Sequence, residues 1–162
     1  MSVEFEQIRR ELDLVPHFEG GYFCEVYRTA CSSNERAAGS HIYYALQNDD
    51  RSKFHRTDAD DMWHFYLGSP VVIIELDANE KGNVKKTVLG SDISIGQKPF
   101  YVIKKGTWFG AHLLREKTWA LCGVTVAPAF VPEGFMFGKR EELLKEYPEA
   151  RELILNMTSA DE

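Results

Sequence analysis

The chain has 162 residues, 44% hydrophobic, 12% aromatic and 27% charged, with a net charge of −6. That length and composition predict one globular domain over residues 1–162 and exclude a disordered or low-complexity chain. The acidic balance, without a basic run, argues against nucleic acid and anionic membrane as partners, and no apolar stretch approaches the roughly 20 residues of a membrane helix.

The first residues, Met1 to Glu6, lack the basic and then apolar order of a secretory signal. Phe5, Ile8 and Leu12 recur at helical spacing among Glu and Arg, which predicts a helix over 3–13, closed by Pro16. Gly20-Gly21 marks a turn or bulge before a strand at Tyr22–Arg28. Further strands are expected at His41–Leu46, Met62–Leu67, Val71–Leu76, Lys85–Leu89, Phe100–Ile103, Thr107–Leu113 and Ala120–Val126. Turn residues separate them at Asn48–Asp50, Gly68–Pro70, Asn79–Asn83, Gly90 and Lys105-Gly106. Strands in this number, with no helix between them, predict an all-β antiparallel sandwich or barrel. Two short helices follow, Lys139 to Tyr147 and Glu149 to Met157, with Pro148 at a tolerated starting position. The last five residues are small, polar or acidic and are expected to fray.

Cys24, Cys31 and Cys122 are few, odd in number and outside any CxxC pattern, which predicts free thiols and a cytoplasmic location. In the strand from Asp61, the side chains of Asp61, Trp63, Phe65 and Leu67 share one face, and Met62, His64 and Tyr66 share the other. Both faces carry bulk. A small sandwich buries only the inner face of each sheet, so a second copy of the chain is expected over the outer one, as a homodimer.

The stretch from Lys53 to Gly68 concentrates the chemistry. His55 and Asp61 lie six apart across a turn expected at Asp58–Asp60, which would set them on neighbouring strands. An imidazole beside a carboxylate can bind a divalent metal, or the carboxylate can orient the imidazole as a general base. The plain alternative is a salt-bridged surface loop. A histidine in such a pair is expected to have a raised pKa.

The spacing of His55, Thr57, Asp61 and Gly68 resembles the first motif of the cupins. A small cupin group of unknown function, sometimes called the fifth cupin family, is more closely similar. Its pattern is met in His17 to Arg28, Ile42-Tyr43-Tyr44, Phe54-His55-Arg56, Asp61 to Gly68 and Gly123 to Phe130. The resemblance runs over residues 14–135. It implies a double-stranded β-helix, or jelly roll, with short helices at both ends. It also implies dimers and a likeness in fold to nucleotide-sugar epimerases.

Three departures bear on function. Thr57 stands where a metal-binding cupin has its second histidine, and Asp61 where it has a glutamate. In the second motif Lys104-Lys105-Gly106 leads to Phe109, which has no donor atom, where a histidine is usual. A catalytic metal normally needs three protein ligands, so no metal cofactor is expected. His64 or His112 could substitute, but simple alternation points His64 away from Asp61. A divalent metal at His55 and Asp61 remains the minor alternative.

Tyr22, Tyr43, Trp63 and Trp108 either line an aromatic pocket that stacks on a sugar or base, or pack in the core. Glu25 joins the ligand-binding candidates. Alternation places Glu25 and Arg28 on opposite faces, so only one could face a pocket and the other would pair in the interior. His17 and His41 are expected to be structural, and Cys122 to lie in the core. The function expected is a small polar ligand bound in the barrel. By analogy of fold it would be a sugar or nucleotide-sugar, isomerised without metal, with His55 as base and Asp61 orienting it. A non-catalytic binding module is the alternative, and a metal-dependent oxygenase the third.

Overall fold

The structure is a computed structural model that describes residues 3–76 and 83–159. In chain order it contains α1 (Val3–Glu11), β1 (Val15–Pro16), β2 (Tyr22–Arg28), β3 (Ser40–Gln47), β4 (Arg51–Thr57), β5 (Asp60–Gly68) and β6 (Val71–Leu76). Then come β7 (Val84–Leu89), β8 (Phe100–Ile103), β9 (Trp108–Leu113), β10 (Trp119–Ala127), β11 (Phe135–Phe137), α2 (Arg140–Glu146) and α3 (Arg151–Met157). The strands form a first sheet in the order β1-β2-β3-β10-β5-β8 and a second in the order β11-β4-β9-β6-β7, with antiparallel pairing throughout both. This is the expected jelly roll with helices at both ends. No helix among the described residues is long and apolar enough to cross a membrane.

Three apolar clusters explain why several strands carry bulk on both faces. The largest, with Tyr44, Trp63, Ile73, Ile103, Phe109 and Val124, lies between the sheets. A second packs α2 and α3, through Leu143, Ile154 and Met157, on Phe54, Val72 and Ile74 at the back of the second sheet. A third packs Phe5 of α1 on Ala45 and Leu121 at the back of the first. The cover over much of both outer faces therefore comes from the chain's own helices, so the doubly covered strands do not by themselves require a second copy. Strand β6, buried along its whole length, shows the effect most clearly.

Strands β2, β6 and β8 fall where expected, β3, β5, β7, β9 and β10 shift by one or two residues, and the short β1 and β11 were not expected. Strand β4 is not among the expected strands. It carries Arg51, Lys53 and Arg56, and its register against β9 shifts between Ser52 and His55. Both features break the period of two on which the reading depended. The turn expected at Asn79–Asn83 falls, up to residue 82, outside the described residues, as do residues 160–162 of the expected frayed end.

Candidate functional site

A cavity of about 130 Å³ opens between the sheets at one end of the sandwich. Alternation builds its walls. Ser40, Ile42 and Tyr44 of β3, Asp61 and Trp63 of β5, and Val124 and Val126 of β10 come from the first sheet. The second supplies His55, Thr57 and Phe109.

The remaining wall comes from Phe23 and Glu25 of β2, from Phe130, and from the loop between β1 and β2. Gly20 and Gly21 adopt φ angles of 111° and 71°, a region open to glycine and costly for other residues. A Cβ on Gly20 would also run into the Arg51 carbonyl. The loop is pinned by hydrogen bonds from Tyr44 Oη to the Gly20 carbonyl (2.7 Å) and from the Lys53 amide to the Glu19 carbonyl (3.2 Å). This turn carries His17, Phe18 and Glu19 to the cavity. Buried Glu19 accepts from Ser52 Oγ at 3.0 Å, and its Oε2 lies 3.6 Å from His55 Nε2. The Glu19 amide donates to His17 Nδ1 at 3.2 Å.

His55 is 3% exposed. Its ring centroid lies 4.2 Å from that of Phe109 and stacks on Phe135 at 5.1 Å. Its Nδ1 sits 2.7 Å from the Lys53 carbonyl. That partner can only accept, so the proton belongs on Nδ1 and the Nε2 lone pair faces Glu19. Burial lowers the His55 pKa, against the Lys53 carbonyl and the Asp61 charge, which raise it. The expected upward shift is therefore reversed: desolvation of the imidazolium outweighs the carboxylate. Burial likewise lowers His17, against the Glu19 charge, and raises Glu19, against His17 and the Ser52 hydrogen bond. Asp61 is pushed up to about 6 by burial, despite the hydrogen bond from Thr57 and the charge interaction with His55.

His55 and Asp61 both line the cavity, but not as neighbours in one sheet. Strand β4 belongs to the second sheet and β5 to the first, and the chain crosses between them at Asp58-Ala59. The two residues thus face each other across the sandwich. The Thr57 hydroxyl hydrogen-bonds Asp61 Oδ2, while the orientation of His55 comes from the Lys53 carbonyl.

Of the aromatic candidates, only Trp63 lies in the wall; its Nε1 is buried and has no acceptor among the described residues. Tyr22 packs against Phe5 at the back of the first sheet, and its hydroxyl accepts from Gln47 at 3.3 Å. Tyr43 lies on that back face with His41 and Tyr66. Trp108 lies behind the second sheet, with the Arg56 guanidinium 4.4 Å from its ring centroid. Glu25 stands in the cavity lining and pairs with Arg28, Nη2 to Oε2, at 2.6 Å. The expected opposition of these two fails because a bulge between Glu25 and Tyr27 shifts the register, and the pair is exposed, not interior.

The residues present do not fit a metal. Among the described residues no three His, Cys, Asp or Glu side chains gather as a ligand set. Phe109 covers the His55 ring, and the Thr57 hydroxyl is taken up by Asp61 and the Ala59 carbonyl. His64 hydrogen-bonds Thr125 on the back face of the first sheet, and His112 Nδ1 lies 2.8 Å from the Leu113 carbonyl. Sequence reasoning missed Glu19, Ser52 and Tyr44, and read His17 as structural. The signals for Glu19 were its place beside two glycines and inside the family pattern at His17 to Arg28, since the folded-back turn leaves no periodic trace.

A family model described as Cupin superfamily (DUF985) matches residues 6–138. The X-ray structure of a Shewanella oneidensis protein is similar at a TM-score of 0.88 and 29% identity, over 95% of this chain and 96% of that one. A hypothetical protein from Leishmania major is similar at 0.85 and 25% identity, over 98% and 99%. Oxalate decarboxylase from Bacillus subtilis shares the fold at 0.56 and 14% identity, over 88% of this chain and 36% of that one. A search of curated proteins gives no match.

Proposed function

Because the chain belongs to the DUF985 family of the cupin superfamily, we propose that its barrel holds a small polar ligand and works on it by acid–base chemistry without a metal. The observation that carries this reading is the 3.6 Å approach of Glu19 Oε2 to His55 Nε2, with Asp61 in the same cavity. An isomerase or epimerase needs a base to remove a proton next to a carbonyl and an acid to return one. His55, kept neutral by burial, is the base. Asp61, with a pKa raised to about 6, and Glu19, also raised, are the acids.

A small sugar, such as an amino sugar, or another small carbonyl compound suits the cavity better than a nucleotide-sugar, because its lining includes no Lys or Arg to meet a diphosphate. The packing of His55 between Phe109 and Phe135 favours a second reading, a binding module in which the imidazole only donates and accepts hydrogen bonds. We further propose a homodimer through the part of the first sheet's back face that carries Tyr66, and a cytoplasmic location in keeping with three free cysteines.

Exchange of carbon-bound protons in D2O tests the main reading, because a base that removes such a proton exchanges it even without net turnover. A panel of aldoses, ketoses and amino sugars, followed by proton NMR, is expected to include substrates whose exchange stops in His55→Ala. Exchange unchanged in that variant, or absent from the whole panel, would overturn the catalytic reading in favour of the binding one.

A further inference from the structure

We propose that the ligand of the barrel site is a small organic cation, one ring or less in size, whose nitrogen carries N–H donors. The inference rests on the barrel being the ligand site and adds the charge and size of what enters it. Three carboxylates, Glu19, Glu25 and Asp61, line the cavity, and no Lys or Arg does. The nearest guanidinium, Arg28, is spent on Glu25 and on the Phe130 carbonyl at 3.0 Å. Glu19 and Asp61 are both buried, and the basic side chains beside them in the lining are His17 and His55, which burial pushes toward the neutral imidazole. Their recorded hydrogen-bond donors, Ser52 and Thr57, are neutral hydroxyls. Burial favours the neutral acid at both positions while the cavity lacks a positive charge, and an incoming cation supplies the partner that lets them ionise.

The walls point the same way. Phe18, Phe23, Trp63, Phe109 and Phe130 line the same cavity as the acids, and a cation over an aromatic face is attracted by the ring quadrupole. The volume of about 130 Å³ sets the size, since an apolar cavity of roughly 150 Å³ holds one benzene. An anion entering here would meet the buried Glu19 and Asp61 in a medium that screens poorly, with Glu25 already paired to Arg28.

Benzamidine, benzamide and benzoate share one shape and differ in charge, so they separate this inference from simple ring stacking. Binding is measured by NMR on the full chain, following the Trp63 indole N–H, assigned with Trp63→Phe. Benzamidine is expected to bind about tenfold or more tighter than benzoate, with benzamide between them. Glu19→Gln and Asp61→Asn are each expected to weaken benzamidine about fivefold or more while leaving benzamide within about twofold. Benzoate binding as tightly as benzamidine, no shift with benzamidine at millimolar concentration, or equal losses for benzamidine and benzamide in the variants would overturn the proposal. Those results leave His55-dependent proton exchange untouched, and a lack of exchange leaves the charge preference measurable, so the two readings fail separately.

Discussion

His55 Nε2 stands 3.6 Å from Glu19 Oε2, so the buried imidazole has as its neighbour a carboxylate from the loop ahead of β2, far away in sequence. The acid closer in sequence, Asp61, reaches His55 only through its charge. Each residue therefore has a separable effect, from which the first two of four expected outcomes follow.

Replacing Asp61 should change how stability depends on pH. Its pKa lies at about 6 in the folded chain and near 3.8 when unfolded. An acid raised on folding stabilises fully below its unfolded pKa and loses that contribution as pH rises through the folded one. Asp61→Asn keeps the acceptor for Thr57 but cannot ionise. Relative to the wild type it should gain on the order of 2 kcal/mol at pH 7 and almost nothing at pH 4. Chemical denaturation at both values measures the difference. A gain equal at the two pH values would show that Asp61 does not titrate in this way.

His55→Ala should cost stability as well as function. The ring is packed against Phe109 and Phe135, so truncation leaves a hole worth about 2 kcal/mol or more. Thermal unfolding should move down accordingly, while His55→Gln, which fills more of the space, should retain most of the stability and still lack proton exchange. A His55→Ala protein as stable as the wild type would place the ring at the surface.

Two tryptophans expected from sequence to share one role should behave differently. Trp63→Phe alters the cavity wall and, with benzamidine's own ring protons followed by NMR, should weaken its binding by about threefold or more, whereas Trp108→Phe, behind the second sheet, should leave it within about twofold. Equal losses would contradict the sidedness of the two sheets.

Self-association should run through the back of the first sheet. Sedimentation is expected to give twice the 18.5 kDa chain mass, and Tyr66→Glu, on an exposed ring of that face, should return the single-chain value. A wild type that sediments at 18.5 kDa would sink the dimer.

Much of the fold was legible because its strands follow a simple period. Val71–Leu76 is a β-branched and apolar run interrupted by Glu75, and it is buried throughout. The site was harder to read for the same reason that it is a site. In β4 the inward positions hold Ser52, His55 and Thr57, polar groups that a core pattern excludes. His55 and Asp61 were found from residue type and spacing. Their setting on opposite sheets was not, because the corner at Asp58-Ala59 looks like a hairpin turn until strand order is known. Glu25 and Arg28 were set apart by alternation, and one bulge brought them together.

The loop that bears His17 and Glu19 belongs to neither sheet. It is tethered at Gly20 by Tyr44 and at Glu19 by Lys53, and it contributes one carboxylate, one imidazole and the Phe18 ring to the chamber. A segment so placed can be exchanged as a cassette. Transplanting residues 17–21 between related chains that retain Tyr44 and the Arg51–Lys53 backbone would refit the chamber's polarity while leaving the sandwich intact. Divergence of ligand choice between such chains could therefore arise from five residues ahead of β2, without repacking the interior.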